Sequence, residues 1–129
     1  MVISRKRAIR LGLVAIGCIV VLHAINTFGC GNVSIGSLLT TFAIFVFPPL
    51  VPGLLSLASA NPLRTIGASL LLAPWLIFAY YIDCVAPYSG GGASMIYVAV
   101  LFWGTPSAVL GALATGPILR MFGIQVGGR

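Results

Sequence analysis

The chain has 129 residues, of which 60% are hydrophobic and 6% are charged, and its mean hydropathy is +1.15. A soluble domain carries about 25% charged residues, so this chain has too little polar surface to coat a water-soluble globule. Seven Lys and Arg residues accompany a single acidic residue and a single His. These numbers exclude most acid–base enzymes, sites built on paired carboxylates and charge-rich disordered proteins.

Apolar stretches separated by turn signals predict four membrane-spanning helices. A bilayer core of about 30 Å needs about 20 apolar helical residues, and no charged residue occurs in 11–63, 65–82 or 84–119. Gly and Pro clusters divide these stretches near residues 29–32, 61–62 and 83–94. We predict an all-α integral membrane protein with one domain, 1–129, made of two helical hairpins. Its spans lie at about 9–28, 35–57, 65–82 and 95–114.

The basic residues predict the orientation of these spans. In a four-span arrangement all seven Lys and Arg fall on one side, and the lone acid, Asp83, falls on the other. The positive-inside rule then places both termini in the cytoplasm of a bacterial-type inner (plasma) membrane. A three-span arrangement would divide the basic residues between both faces. The basic start also fits a cleaved signal peptide, and cleavage would leave the other three spans in the same orientation.

Cys30 and Cys84 are both expected on the non-cytoplasmic face, in two loops that must lie close together. In an oxidising compartment they are expected to form a disulfide that ties the two hairpins together. The alternative is a redox-active pair, but there is no C-x-x-C motif and no neighbouring Lys or His to lower a thiol pKa. Cys18 lies within an apolar stretch and is expected to be a packing residue.

His23 and Asn26 lie three residues apart, so they share one face near the outer end of the first span. Polar side chains at membrane depth indicate a functional site by default. The structural alternative is that both hydrogen-bond to the second or fourth span or lie at the membrane interface. With no second His nearby, no metal site is expected.

Three prolines, Pro48, Pro49 and Pro52, interrupt the second span. Each removes a backbone donor and clashes with a preceding carbonyl, so the span is expected to kink or break. The freed carbonyls then need other partners. Broken helices at mid-membrane frame substrate sites in transporters, but they also occur as static kinks, and the sequence leaves both interpretations open.

A stripe of small residues on the fourth span forms a bare helix face at i, i+4 spacing: Gly104, Ala108, Ala112 and Gly116. Such a face allows another helix to approach closely. The partner helix is either within the same chain or in a second protein. In the third loop, Asp83 and Tyr88 are candidate contacts for a ligand or partner, although Tyr residues near span ends also anchor helices at lipid headgroups.

Catalysis has almost no support in this sequence, because a Ser–His–Asp arrangement would need the only His and the only Asp, which lie on different elements. No cofactor is expected, and the net charge of +6 reflects membrane anchors rather than nucleic-acid binding. The first functional hypothesis is a non-enzymatic membrane protein that acts through protein contacts in the bilayer. It would be an immunity protein against a pore-forming toxin or an accessory subunit of a membrane complex.

The alternative hypothesis is a homo-oligomeric channel or carrier for a small neutral or anionic solute. Proton coupling through a carboxylate is excluded, because no predicted span contains Asp or Glu. A thiol–disulfide exchanger that uses Cys30 and Cys84 is a third and weaker possibility.

Overall fold

A computed structural model describes residues 1–29, 34–86 and 95–127. The described chain forms four long helices: α1 (Arg5–Gly29), α2 (Ile35–Ala58), α3 (Arg64–Val85) and α4 (Ile96–Met121). All four are long and apolar enough to span a membrane, which confirms that part of the prediction. Many large apolar side chains point away from the bundle, as expected for helices that face lipid.

Local sequence determines where these helices begin and end. Ser34 caps α2, because its hydroxyl accepts a hydrogen bond from the Ser37 backbone N–H at 3.3 Å. The Asn61 side-chain oxygen accepts the Leu63 backbone N–H at 3.2 Å in the turn that leads into α3. After α4, Gly123 adopts a φ of 69°, a left-handed conformation that glycine accommodates without steric cost and that ends the helix.

Helix α3 lies at the centre of the bundle and packs against each of the other three helices. Helix α1 packs chiefly against α3, whereas α4 packs against both α3 and α2. Fully buried apolar side chains from α2, α3 and α4 fill the centre: Val46, Leu72, Leu76 and Val100. The centre of the described bundle is therefore filled by packed apolar side chains.

Two short strands, β1 (Val2–Ser4) and β2 (Gln125–Gly127), pair in parallel. The sequence predicted an all-α protein and did not predict these strands. Ile3 pairs with Val126, and the terminal amine of Met1 donates to the Gly123 carbonyl at 2.8 Å. This pairing holds both ends of the described chain at one end of the bundle. We call it the basic end, because six cationic side chains lie there: Arg5, Lys6, Arg7, Arg10, Arg64 and Arg120.

Cysteine labelling tests whether the two ends of the described chain lie on the same side of the membrane. Because the sequence predicts both termini in the cytoplasm, we expect a membrane-impermeant maleimide to label neither Val2→Cys nor Phe122→Cys in intact cells, and to label both in inverted vesicles. Both native side chains are more than 70% exposed, so access is not blocked by packing. The unmodified chain gives the background from its own cysteines. Labelling of only one position in intact cells would contradict the paired termini.

Helix α2 stays helical through its three prolines but changes its hydrogen-bonding pattern just before them. Residues Phe42–Val46 form a π-helical segment, in which the Phe47 N–H reaches back five residues to the Phe42 carbonyl. The α-helix resumes at Phe47, with Pro48 and Pro49 in its first turn and Pro52 inside it. Each proline lacks the backbone donor of a helical hydrogen bond, but the chain stays helical through all three, and a bend of the helix axis at this point stays a prediction.

Two hydroxyl groups bond to carbonyls of the proline-containing segment. The Ser56 hydroxyl donates to the Pro52 carbonyl at 2.7 Å. The Thr65 hydroxyl on α3 donates to the Gly53 carbonyl at 2.8 Å in a fully buried position. The second bond joins α3 to α2 and satisfies polar groups that water cannot reach.

Candidate functional site

His23 and Asn26 point into the bundle from α1 and are 1% and 6% exposed, respectively. The Asn26 side-chain amide donates to the Leu76 carbonyl on α3 at 2.9 Å, with both groups buried. The structural alternative expected Asn26 to bond to the second or fourth span, whereas the structure shows a bond to the third. The bond crosses between helices, so it fixes α1 against α3 at this depth.

The His23 imidazole joins α1 to two further helices. Its Nε2 lies 3.3 Å from the Leu38 carbonyl on α2, and its Nδ1 lies 3.5 Å from the Tyr97 hydroxyl on α4. A carbonyl can only accept, so Nε2 donates to Leu38, and a neutral imidazole accepts from the Tyr97 hydroxyl at Nδ1. His23 therefore contacts the second and fourth spans, as the structural alternative expected.

Aromatic rings surround the imidazole. The Phe42 and Tyr97 rings each lie 5.8 Å from it between centroids, with Tyr97 edge-on. Phe45 packs in turn against Tyr97 at 6.2 Å. Phe42 and Phe45 belong to the π-helical segment of α2, so the local change of helix pattern places two rings beside His23.

We call His23, Asn26, Tyr97 and the Leu38 and Leu76 carbonyls the polar junction, because together they join all four helices. The Asn26 side-chain oxygen is buried there without a hydrogen-bond partner, a costly state for a buried acceptor. The Tyr97 hydroxyl lies beside Asn26 and Thr27. The junction is an arrangement of neutral donors and acceptors that holds helices in register, with one acceptor unused.

Substitution of Asn26 by Ala should lower the free energy of unfolding by about 1 kcal/mol, because the buried bond to α3 is lost. Thr105→Ala is the matched control. The Thr105 hydroxyl donates to the Leu101 carbonyl on its own helix, α4, at 2.6 Å, so we expect a change of only a few tenths of a kcal/mol. Unfolding in mixed detergent micelles measures both values. An equal cost for the two substitutions would show that the junction does not join the helices.

The small-residue stripe on α4 is buried within the chain at all four positions, Gly104, Ala108, Ala112 and Gly116. A methyl group on Gly104 would lie 2.9 Å from the Leu72 side chain on α3. One on Gly116 would lie 3.0 Å from the guanidinium of Arg64, also on α3. These residues serve packing between α3 and α4, and this face of α4 is covered by the chain itself.

The closest helix contact involves Gly67 and Gly111, which the sequence analysis did not single out. A methyl group on Gly67 would overlap the Thr115 hydroxyl and lie 2.5 Å from the Gly111 carbonyl oxygen. One on Gly111 would overlap the Gly67 carbonyl oxygen in return. The available signal was that Gly111 follows Gly104 by seven residues, two helical turns along the same face.

Two of the remaining predicted site residues, Asp83 and Cys84, lie at the end of the bundle opposite the basic end. Asp83 and Cys84 belong to the π-helical segment Tyr81–Val85 that ends α3. Cys30 and Tyr88 lie outside the described residues, so the Cys30–Cys84 disulfide and the loop contact of Tyr88 stay predictions. Cys18 is exposed and carries a free thiol. Within 1–29, 34–86 and 95–127, no three His, Cys, Asp or Glu residues come together as metal ligands would.

Comparison with known proteins finds no matching family model, no matching curated protein and no matching solved structure. Function therefore has to be inferred from the chain's own geometry.

Proposed function

We propose that this is a small, non-enzymatic, multi-pass protein of a bacterial-type inner membrane that acts by contacting another protein in the bilayer. The partner would be a membrane-inserting toxin, for which this chain provides immunity, or a larger membrane complex of which it is an accessory subunit. The packed interior carries this proposal. Val46, Leu72, Leu76 and Val100 fill the centre of the bundle, where a monomeric carrier would need its solute path.

The outward faces support the same proposal. Exposed large side chains along the helices are apolar, including Val21, Leu55, Leu110 and Leu113, each more than half exposed. Side chains of this kind suit contact with lipid or with another transmembrane helix, and they line an aqueous path poorly. The polar groups of the junction are turned inward and bond to helices of the same chain.

The partner contact is proposed at the end that holds Asp83, together with the exposed faces of the helices next to it. Asp83 is the one acidic residue of the sequence and is partly exposed at the end of α3. With both termini in the cytoplasm, this end faces outward, where an incoming toxin arrives first. The proposed Cys30–Cys84 disulfide would tie the two hairpins together at this end.

A homo-oligomeric channel or carrier is the second candidate, and one observation favours it. The π-helical segment Phe42–Val46 lies directly before Pro48 and beside His23, and short π-helical segments occur frequently at functional sites. In such an assembly, the solute path would run between copies of the chain rather than through one bundle.

Affinity purification from native membranes, using a C-terminal tag and mild detergent, tests the proposal. We expect one other membrane polypeptide in stoichiometric amount. We expect Asp83→Ala to lose it and Gln125→Ala, a polar exposed site at the basic end, to keep it. A lone homo-oligomer that transports a neutral or anionic solute into liposomes would overturn the proposal in favour of the channel.

A further inference from the structure

Two adjoining cavities lie at the basic end of the bundle. The first, which we call the apolar groove, has a volume of about 470 Å³ and runs over α3 between α1 and α4. The second, which we call the polar recess, has a volume of about 420 Å³, and its lining includes Asn61, Arg120 and Gln125. Ile124 lines both cavities, so they are neighbours. Together they form one site with an apolar part and a cationic part.

The apolar groove opens sideways toward the bilayer. Gly67 and Gly111, where α3 and α4 lie closest together, are part of its lining. Its walls include Leu70, Leu11 and Ile118, which are 64%, 41% and 47% exposed. Apolar clefts of this size are within the range of small-molecule binding sites.

The polar recess lies in a strongly positive environment. Arg120 lines it directly. Arg64, three residues after Asn61, places its guanidinium against Gly116 of α4, and its buried Nε has no hydrogen-bond partner. The one acidic side chain of the sequence, Asp83, lies at the far end of α3, about 28 Å away by helical rise. No carboxylate side chain therefore neutralises this recess.

We propose that the two cavities bind one anionic phospholipid. An acyl chain lies in the apolar groove, and the headgroup phosphate is bound by Arg120 and Asn61 in the polar recess. The charge pattern favours this occupant. The apolar groove is open to the bilayer and leads into the polar recess, which offers cationic and amide donors. This arrangement matches an acyl chain that ends in a phosphodiester. A zwitterionic lipid fits the groove equally well but gains less from the positive recess. This site is independent of the partner contact proposed at the opposite end.

Native mass spectrometry of the delipidated protein tests this site by titration with phosphatidylglycerol or phosphatidylcholine of equal chain length. We expect one phosphatidylglycerol to bind about fivefold more tightly than phosphatidylcholine, the effect of one cation beside an anionic lipid. Arg120→Gln should reduce this preference to near unity. Arg5→Gln, which removes the same charge at the same end outside the recess, should keep it.

A second pair of variants tests the groove. Ala114 lines it and is exposed, so Ala114→Phe should fill it and weaken binding of both lipids. Leu113→Phe, at the next position and outside the groove, should bind like the unmodified chain. Circular dichroism and thermal melting verify the fold of each variant. Three results would overturn the proposal. The two lipids would bind equally well, Arg120→Gln and Arg5→Gln would lose the preference for phosphatidylglycerol to the same extent, or Ala114→Phe would bind both lipids as the unmodified chain does.

Discussion

Replacement of Gly111 by alanine should destabilise the bundle by about 1–3 kcal/mol or more, the cost of overpacking a close contact. The added methyl group would overlap the Gly67 carbonyl oxygen and lie 2.6 Å from its carbonyl carbon. Both obstacles are backbone atoms, which cannot rotate away as a flexible side chain can. Gly67→Ala should cost a similar amount, because its methyl group meets the Gly111 carbonyl from the other side.

Gly17→Ala is the matched control for both substitutions. Gly17 is a helical glycine on α1 with no atom within 4 Å of the added methyl group. We expect the Gly17→Ala protein to be as stable as the unmodified chain or slightly more stable, because alanine has a higher helix propensity than glycine. Thermal unfolding in one detergent measures all three variants. Equal stability of Gly111→Ala and Gly17→Ala would show that α3 and α4 do not approach as closely as described.

Replacement of Cys84 by serine should lower the free energy of unfolding by about 2–4 kcal/mol. The reason is the proposed disulfide with Cys30, which lies 54 residues earlier in the chain and outside the described residues. A cross-link between distant positions restricts the unfolded chain and so favours the folded one. The unmodified protein should fall to the stability of Cys84→Ser when a reductant is added.

Cys18→Ala is the control for this second prediction, since Cys18 is an exposed free thiol on α1. We expect it to retain both the stability of the unmodified chain and its response to reductant. Thermal unfolding with and without reductant provides the comparison. If Cys84→Ser and Cys18→Ala unfold at the same temperature, and reductant changes neither temperature, then no disulfide joins the two hairpins.

The four long helices could be predicted from the sequence because membrane spans need long uncharged stretches. Their ends were harder to place. Helix α1 begins at Arg5, four residues before the predicted span, and α4 continues to Met121, seven residues beyond it. Hydropathy indicates which residues lie in the lipid core. A helix can extend beyond that core, and it ends where its backbone groups are capped, as at Gly123. The paired strands were missed because three residues are too few to show alternation.

The candidate site was predicted in part. His23 and Asn26 stood out because polar side chains are rare in such an apolar chain. Their partners could not be predicted, because two are backbone carbonyls, of Leu38 and Leu76, which every residue possesses. Tyr97 lies near a span end, where Tyr residues are expected to anchor helices at lipid headgroups, whereas its hydroxyl turns toward His23.

The contact between Gly67 and Gly111 shows a different limit. A stripe of small residues was recognised along one helix, but the closest approach depends on which glycine of a second helix meets it. That pairing is set by the relative height of α3 and α4, a property of the assembled bundle. The periodicity of small residues in one helix predicts a face that another helix can approach closely. It does not predict which residues of the second helix lie against that face.

A photo-crosslinking map of the helix surfaces tests most directly whether the protein acts through its outward faces. Benzoylphenylalanine would replace, one at a time, an exposed residue on each helix in the half of the bundle next to Asp83: Val21, Leu39, Ile77 and Phe102. We predict that neighbouring positions on one side of the bundle crosslink to the same second polypeptide in native membranes, while positions on the other sides do not. Crosslinks to further copies of the chain alone, with solute passage through the reconstituted protein, would contradict the proposed function.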